Sequence, residues 1–253
     1  MSSRSARVSS ERPFYDLHAD AYDALIVDPV EPWVDRIDQH LRGAGFESAS
    51  ILDAGCGTGR HAAALIDRGH QVTLLDAAPG LLAIAADRCP GSRAVRADIC
   101  APALAETFDA ITCRGVLNDL VEDAERDQAL SFFGELTRDG GVVVLDVREA
   151  GGSRARADGI WRSNDVELAD GTRLRFSSRP TWQAGRIVVD ERYQLTDVRG
   201  LAAPPLEYTF HMRPWTTAEL EDRLRRAGFR SIVIQPGVGR RTTDRLLVTA
   251  SRT

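Results

Sequence analysis

The chain contains no lysine; all 32 of its basic residues are arginine. Every chemistry that needs a lysine amine, from a Schiff base to the lysine of a phosphate-binding loop, is therefore excluded. Cysteine is scarce and scattered. Cys56, Cys89, Cys100 and Cys113 include no pair two or three residues apart, so neither a zinc knuckle nor a redox pair is readable. Isolated cysteines suit a reducing cytoplasm, the expected location. Long apolar runs are missing as well. No stretch reaches about 18 apolar residues, and "MSSRSARVSSERPFYD" holds no apolar segment of signal-peptide length, so neither a membrane partner nor export is expected. The first dozen residues, rich in serine and arginine, are expected to be disordered. Positive charge is not in excess either: the net charge is −5, which disfavours a nucleic-acid partner.

What remains is an ordinary globular composition, 43% hydrophobic and 27% charged over 253 residues, sufficient for one large domain with its own core. From about residue 50 onward strand and helix patterns alternate. "ASILDAG", "QVTLLDA", "SRAVRADI", "TFDAITCRG" and "VVVLDVRE" read as strands. The helices between them are "RHAAALIDRG", capped by Gly69, "PGLLAIAADRC", with Pro79 in its first turn, and "DAERDQALSFFGELTRDGG", closed by Gly140 and Gly141. Repeated βα units predict a parallel sheet covered on both faces. Residues 160–213 alternate instead with period two. Asp170-Gly171 and Ala184-Gly185 mark two hairpins, and Leu206, Tyr208, Phe210 and Met212 share one strand face. A helix over "TTAELEDRLRRAG" and strands at "RSIVIQ" and "RLLVTA" complete the pattern. The expected fold is α/β: a doubly wound, mostly parallel seven-stranded sheet with an antiparallel β-insertion after the fifth strand.

The stretch "DAGCGTG" puts Gly55, Gly57 and Gly59 at every second position after a strand. Glycine in that pattern means backbone that turns sharply or that something approaches closely. A dinucleotide fingerprint requires a small residue where Arg60 stands. The stretch instead resembles the D-x-G-x-G-x-G signature of class I S-adenosylmethionine-dependent methyltransferases, and the likeness runs nearly from the first strand to the last. It implies a Rossmann-like fold, S-adenosylmethionine as cofactor and no metal. Asp53 would orient the cofactor's ammonium, and the turn through Gly55, Cys56, Gly57 and Gly59 would lie against its methionine part. Asp76, followed by Ala77, ends the second strand 21 positions after Gly55, where a carboxylate accepts from both ribose hydroxyls. Asp98 ends the third, where the family's equivalent acid accepts from the adenine amino group and the backbone amide of Ile99 touches the ring. Backbone at Cys113, Arg114 and Gly115 would flank the methionine part. Three acids at the carboxyl ends of three parallel strands lie where open α/β sheets bind ligands.

The order of fifth strand, β-insertion and "MRPWTTAELEDRLRRAGF" resembles small-molecule methyltransferases, in layout the glycine and sarcosine N-methyltransferases and the sugar-amine N-methyltransferases of natural-product pathways. The implied partner is a small-molecule acceptor, amine nitrogen being favoured over oxygen or carbon. Residues 1–46 would form a tail and helical lid, 47–150 with 214–253 the core, and 151–213 an acceptor lid. Arg148 matches the arginine that in the glycine family helps hold a substrate carboxylate, although Glu149 and Ala150 replace the asparagine and tyrosine that follow it. Its alternative is a structural ion pair, for instance with Asp146 or Glu149. Asn118 and Asp119 either face the acceptor or cap a helix. Tyr15 and Tyr22, seven apart in a stretch that looks like the family's lid helix, share a face and either reach the sulfonium or acceptor or pack on the core. Trp33 is expected in the core. His211 is a base or an exposed strand residue, and Arg213-Pro214-Trp215 resembles a structural junction. Two rival functions are a nicotinamide-dependent oxidoreductase and a non-catalytic S-adenosylmethionine-binding protein.

Overall fold

The strands read from the alternating pattern assemble into one seven-stranded sheet in the computed structural model, which describes residues 13–252. The expectation of disorder for the first dozen residues lies outside them. In chain order the strands are β1 (Ser50–Ala54), β2 (Gln71–Asp76), β3 (Ala94–Arg96), β4 (Phe108–Arg114) and β5 (Thr137–Arg148). The insertion contributes β6 (Arg162–Glu167), β7 (Arg173–Gln183), β8 (Arg186–Thr196) and β9 (Leu206–Met212), and the chain closes with β10 (Phe229–Pro236) and β11 (Arg245–Arg252). The main sheet runs β10-β11-β5-β4-β1-β2-β3. Pairings among β1 to β5 are parallel, whereas β11 is antiparallel to both β5 and β10. The order reverses between β1 and β4, so a crevice opens at their carboxyl ends.

The core follows from consecutive apolar residues on strands whose side chains alternate faces. Ile51 packs with Trp33, Val34, Ile37 and Leu41 of a helix over Glu31–Gly43 and with Leu65 of one over Arg60–Asp67. Its neighbour Leu52 points the other way, into the core cluster that also holds Leu130 and Phe133 of a helix over Asp123–Leu136 and Leu220 and Leu224 of one over Thr217–Arg226. Each such side chain contributes about 1.5–3 kcal/mol by leaving water. Trp33 is thus a core residue, as expected. Helix ends follow local chemistry: Pro79 opens the helix Pro79–Arg88, and Thr216 accepts the Glu219 N–H at 3.1 Å at the start of the last helix.

Two boundaries differ from expectation. The helix expected to run to Gly140-Gly141 ends at Leu136, because Thr137 is already extended and pairs with Phe108. Gly141 sits inside β5, where an added Cβ would stand 2.9 Å from the Asp109 carbonyl oxygen. A short helix over Ala150–Arg156 stands where "AGGSRAR" reads as a loop; the Glu149 carboxylate starts it by accepting from the Gly151 and Gly152 amides at 2.7 and 2.5 Å.

The insertion is a separate antiparallel sheet, β6-β7-β8-β9, with its hairpins at the expected dipeptides. Two short helices, Phe14–Leu17 and Ala19–Leu25, lie between this sheet and the helix Pro79–Arg88. The Phe14 ring stacks on Tyr193 of β8 with centroids 3.8 Å apart. No helix among the described residues is long and apolar enough to cross a membrane.

Candidate active site

The three alternating glycines serve three different needs. At Gly55 a Cβ would fall 2.3 Å from Val116 Cγ2, so the turn after β1 can press against the segment after β4 only without a side chain. At Gly59 a Cβ would stand 3.0 Å from the Cα and Cβ of Ala85, which sets how closely the helices Arg60–Asp67 and Pro79–Arg88 pack. Gly57 is different: its φ is +56°, and nothing lies within 4 Å of where its Cβ would be. That missing side chain leaves backbone bare toward open space, and Gly57 lines a cavity of about 1380 Å³.

The acids at the strand ends brace this turn. Asp76 Oδ2 accepts the Gly57 N–H at 2.8 Å and Oδ1 the Ala78 N–H at 2.9 Å. Asp53 Oδ1 accepts from the Thr112 hydroxyl at 2.8 Å, and Asp98 Oδ1 from the Cys100 N–H at 2.8 Å. Burial pushes Asp53 up to about 6, with Thr112 opposing the shift, Asp76 adding to it and Arg114 opposing it. Burial likewise raises Asp76, against the backbone N–H groups of Ala78 and Gly57. A buried carboxylate, Asp53, and a half-buried one, Asp76, beside bare backbone make a site that gains from receiving a positively charged group.

Arginines edge the same cavity, and partners within the chain hold them. Arg114 Nη1 lies 2.5 Å from His61 Nε2, and its other nitrogen donates to the Gly239 carbonyl. Burial, followed by the charges of Arg114, Arg240 and Arg60, brings His61 down to about 2, so the ring is neutral and accepts from Arg114. Arg240 and Arg245 both donate to Asp146 Oδ1, at 2.7 and 2.9 Å. Arg148 Nη1 donates to Asp244 Oδ2 at 2.5 Å, which the Ser153 hydroxyl also reaches at 2.8 Å.

The cavity brings together most of the site residues read from sequence. Asp53, Gly55, Cys56, Gly57, Asp76, Ala77, Asp98, Ile99 and Arg114 line its sheet end. Tyr15, Tyr22, Asn118 and Arg148 line it too, the two tyrosine rings lying 4.4 Å apart. Tyr22 packs against two clusters, one of Ala19, Ala78 and Leu81 and one of Phe14, Ala21, Leu174 and Tyr193.

His211, Cys113 and Gly59 stand outside the cavity lining, whereas Asn118 and Arg148 line it and are held by partners within the chain. His211 does not join the cavity: Phe210 and Met212 line it, and alternation along β9 turns His211 to the other face. The Cys113 side chain is wholly buried in the hydrophobic core and is absent from the cavity lining. Gly59 serves helix packing rather than the cavity wall. Asn118 is fully buried, its amide nitrogen donating to the Gly115 carbonyl at 2.7 Å and its oxygen accepting the Arg148 N–H at 2.7 Å, so it ties the end of β4 to the end of β5. Arg148 is in an ion pair with Asp244, a partner that neither reading of the sequence named.

Glu191 and Tyr193 also line the cavity and were missed. The signal was present: the strand pattern that turns Ile187 and Val189 inward turns Glu191 inward as well. A carboxylate at an apolar position of an alternating strand marks either an error of register or a use.

A family profile described as a methyltransferase domain matches residues 51–141. A protein of Geobacillus sp. (strain WCH70) that carries a methyltransferase name is 32% identical over 163 residues, 61% of this chain and 66% of its own length. The dTDP-3-amino-3,6-dideoxy-alpha-D-glucopyranose N,N-dimethyltransferase of Streptomyces fradiae is 36% identical over 101 residues, 40% of each chain. The match thus spans two fifths to about two thirds of these relatives' length. Among solved structures, the S-adenosylmethionine-bound amino pentose methyltransferase CalS10 from Micromonospora echinaspora superposes with a TM-score of 0.73 at 25% identity, over 94% of this chain and 97% of its own.

Proposed function

We propose that the chain acts as a class I S-adenosylmethionine-dependent methyltransferase and moves a methyl group from that cofactor to a nitrogen of a small-molecule acceptor. The observation that carries this reading is the continuity of one cavity. It runs from the bare Gly57 backbone and the three strand-end aspartates to the apolar insertion wall of Ile187, Val189 and Phe210. The sheet end suits the cofactor in chemistry, since its acids favour a cation and Gly57 leaves room against the backbone. Asp53 would hold the ammonium, Asp76 the ribose, and Asp98 with Ile99 the adenine. When bound, the cofactor supplies an electrophilic methyl group on a sulfonium.

The remaining work of the chain is positioning. Holding a nucleophile in line and about 3 Å from an activated methyl accounts for most of the catalysis such a reaction needs. The insertion over residues 151–213 and the two N-terminal helices cover the acceptor end, with the Phe14–Tyr193 stack joining the two parts of this lid. Tyr22 packs against apolar clusters on both the Pro79–Arg88 helix and the insertion, with the Tyr15 ring beside it. Exclusion of water there strengthens every polar contact inside. The likeness to the Streptomyces and Micromonospora proteins, an amino-sugar N,N-dimethyltransferase and an amino pentose methyltransferase, supports nitrogen as the target.

Calorimetric titration with S-adenosylhomocysteine and with NAD, followed by turnover of an acceptor library read by mass spectrometry, tests the reading. Binding of the first ligand alone, and a gain of one methyl on an amine, are expected. Binding of NAD in its place would overturn it, and cofactor binding without turnover of any acceptor class would favour a non-catalytic role.

A further inference from the structure

We propose that the acceptor carries its amine on an apolar body, an alicyclic or aromatic ring, and that this body lies against Pro180, Ile187, Val189 and Met212 of the insertion. The inference rests on the methyl-transfer reading and narrows its acceptor to one chemical class.

The register of the insertion sorts its inward face into rows. Side chains on one face repeat every second residue along a strand and stand opposite one another across the ladder. Trp182, Ile187 and Met212 form a first row, and Pro180, Val189 and Phe210 a second. Both rows are apolar or aromatic on all three strands. The third row changes character: Arg162, Ser178, Glu191 and Tyr208 stand side by side from β6 to β9. Beyond it Phe176, Tyr193 and Leu206 share a fourth row. One polar row thus divides the face into two apolar areas.

The two areas have different surroundings. The area around Leu174 and Tyr193 packs with Phe14 and Ala21 of the N-terminal helices and is ordinary core. The other forms a cluster of its own around Ile187, Val189 and Phe210, which among the described residues Ala157 alone joins from outside the strands. That cluster is separate from the two that fill the faces of the main sheet. Its Ile187, Val189 and Met212, with Pro180 beside them, line the cavity that reaches the glycine turn. Apolar side chains bordering a cavity that continues into the cofactor end favour an apolar occupant there.

Size and polarity narrow that occupant further. Two rows on three strands make a strip of roughly 7 Å along the strands and 10 Å across them, enough for one ring or two fused rings. Pro180, Ile187, Val189 and Met212 offer no side-chain donor, and the Met212 thioether is a weak acceptor. The strand backbones there are engaged in the ladder. A sugar hydroxyl laid on the strip would leave water with no partner to replace it. A ring methylene or an aromatic edge would not.

The experiment measures, by calorimetry on protein loaded with S-adenosylhomocysteine, the affinity for cyclohexylamine, 2-phenylethylamine and glucosamine. All three present one amine, and the first and last share a six-membered ring. The two apolar amines are expected to bind about a hundredfold more tightly than glucosamine, the discrimination of a hydrophobic pocket against an added hydroxyl. With S-adenosylmethionine they should also gain a methyl group. Val189→Thr keeps the shape and adds a hydroxyl to the strip, and should weaken cyclohexylamine about tenfold. Val188→Thr makes the same change one residue along β8, on the face that His211 shares, and should leave it within about twofold. A preference for the apolar amines below about fivefold, or glucosamine preferred, would overturn the proposal. So would failure of both apolar amines to bind, or an unchanged affinity in a folded Val189→Thr. If Val189→Thr fails to fold, the ratio measured on wild type decides alone. Apolar-amine affinity that falls as protein concentration rises would mean that a second copy of the chain covers the strip, and would overturn the proposal too. Failure of S-adenosylhomocysteine itself to bind would instead strike the methyl-transfer reading, and the proposal would fall with it.

Discussion

Asp76 Oδ2 accepts the Gly57 N–H at 2.8 Å, so the acid at the end of the second strand also fixes the glycine turn after the first. The same carboxylate is the expected ribose partner. Replacing it removes a ligand contact and a brace together. Asp76→Ala should weaken S-adenosylhomocysteine binding by about 1.5–3 kcal/mol, the range for a hydrogen bond to a charged group. Methylthioadenosine, which keeps the ribose, should weaken in parallel. Weakening confined to ligands with the methionine part would mean that Asp76 acts through the turn alone.

Two glycines in one motif should respond differently. Gly57→Val places a branched side chain where nothing lies within 4 Å, in the space lining the cavity, so cofactor binding should be lost while the fold persists at a cost of about 1–2 kcal/mol for the left-handed backbone. Gly55→Ala drives a Cβ to 2.3 Å from Val116 Cγ2 and should lower the melting temperature more than Gly57→Val does. Calorimetry and thermal unfolding on both variants check the contrast. Unchanged affinity in a folded Gly57→Val would remove the glycine turn from the cofactor site.

The sheet and its ligand end were legible in the residues because their constraints are local. A strand, a glycine turn and an acid at a strand end need only a few neighbouring positions to be recognised, and β1 to β5 followed that pattern. Features decided by distant partners were not legible. Thr137 leaves its helix to pair with Phe108, which no property of "ELTRDGG" announces. The helix Ala150–Arg156 depends on Glu149 capping two glycine amides that read as a loop. Arg148 finds Asp244 96 positions away, across the pairing of β5 and β11. His211 takes the second of its two expected roles, an exposed strand residue, because the alternation that turns Phe210 and Met212 inward turns it outward.

Asp53 should make cofactor binding pH-dependent. Burial is the largest cause of its rise from 3.8 to about 6. Below 3.8 folded and unfolded chains both hold the proton; between 3.8 and about 6 the unfolded chain has lost it and the folded chain keeps it. The ligand-free protein therefore loses stability as pH rises through that window. A ligand ammonium reverses the preference by favouring the carboxylate. Affinity should rise with pH up to about 6 and level off above it. At about pH 5.5, calorimetry in buffers of different ionisation enthalpy should report proton release on binding, and Asp53→Asn should abolish it. Equal heats across buffers for the native protein would mean that Asp53 does not meet the ammonium.

Arg148 tests whether a cavity arginine serves the acceptor or the fold. It is 22% exposed toward the cavity, but its partner Asp244 is 1% exposed and also takes the Ser153 hydroxyl. Burial alone would raise Asp244; Arg148 leads the groups that outweigh it and bring it down to about 2. A depressed carboxylate adds stability that is complete above 3.8 and is lost as pH falls toward about 2. Arg148→Ala leaves a buried carboxylate with its main charge partner gone, and should cost about 2–4 kcal/mol near neutral pH, close to the range for breaking a buried pair. Stability should also change less with pH below 3.8 than in the native protein, because Asp244 then titrates nearer its ordinary value. Acceptor kinetics of the surviving folded protein should stay close to native. The opposite result, an unchanged melting temperature with a sharply raised acceptor KM, would return Arg148 to the role of anchoring an anionic group on the acceptor, with Asp244 merely holding its guanidinium in place until the acceptor arrives.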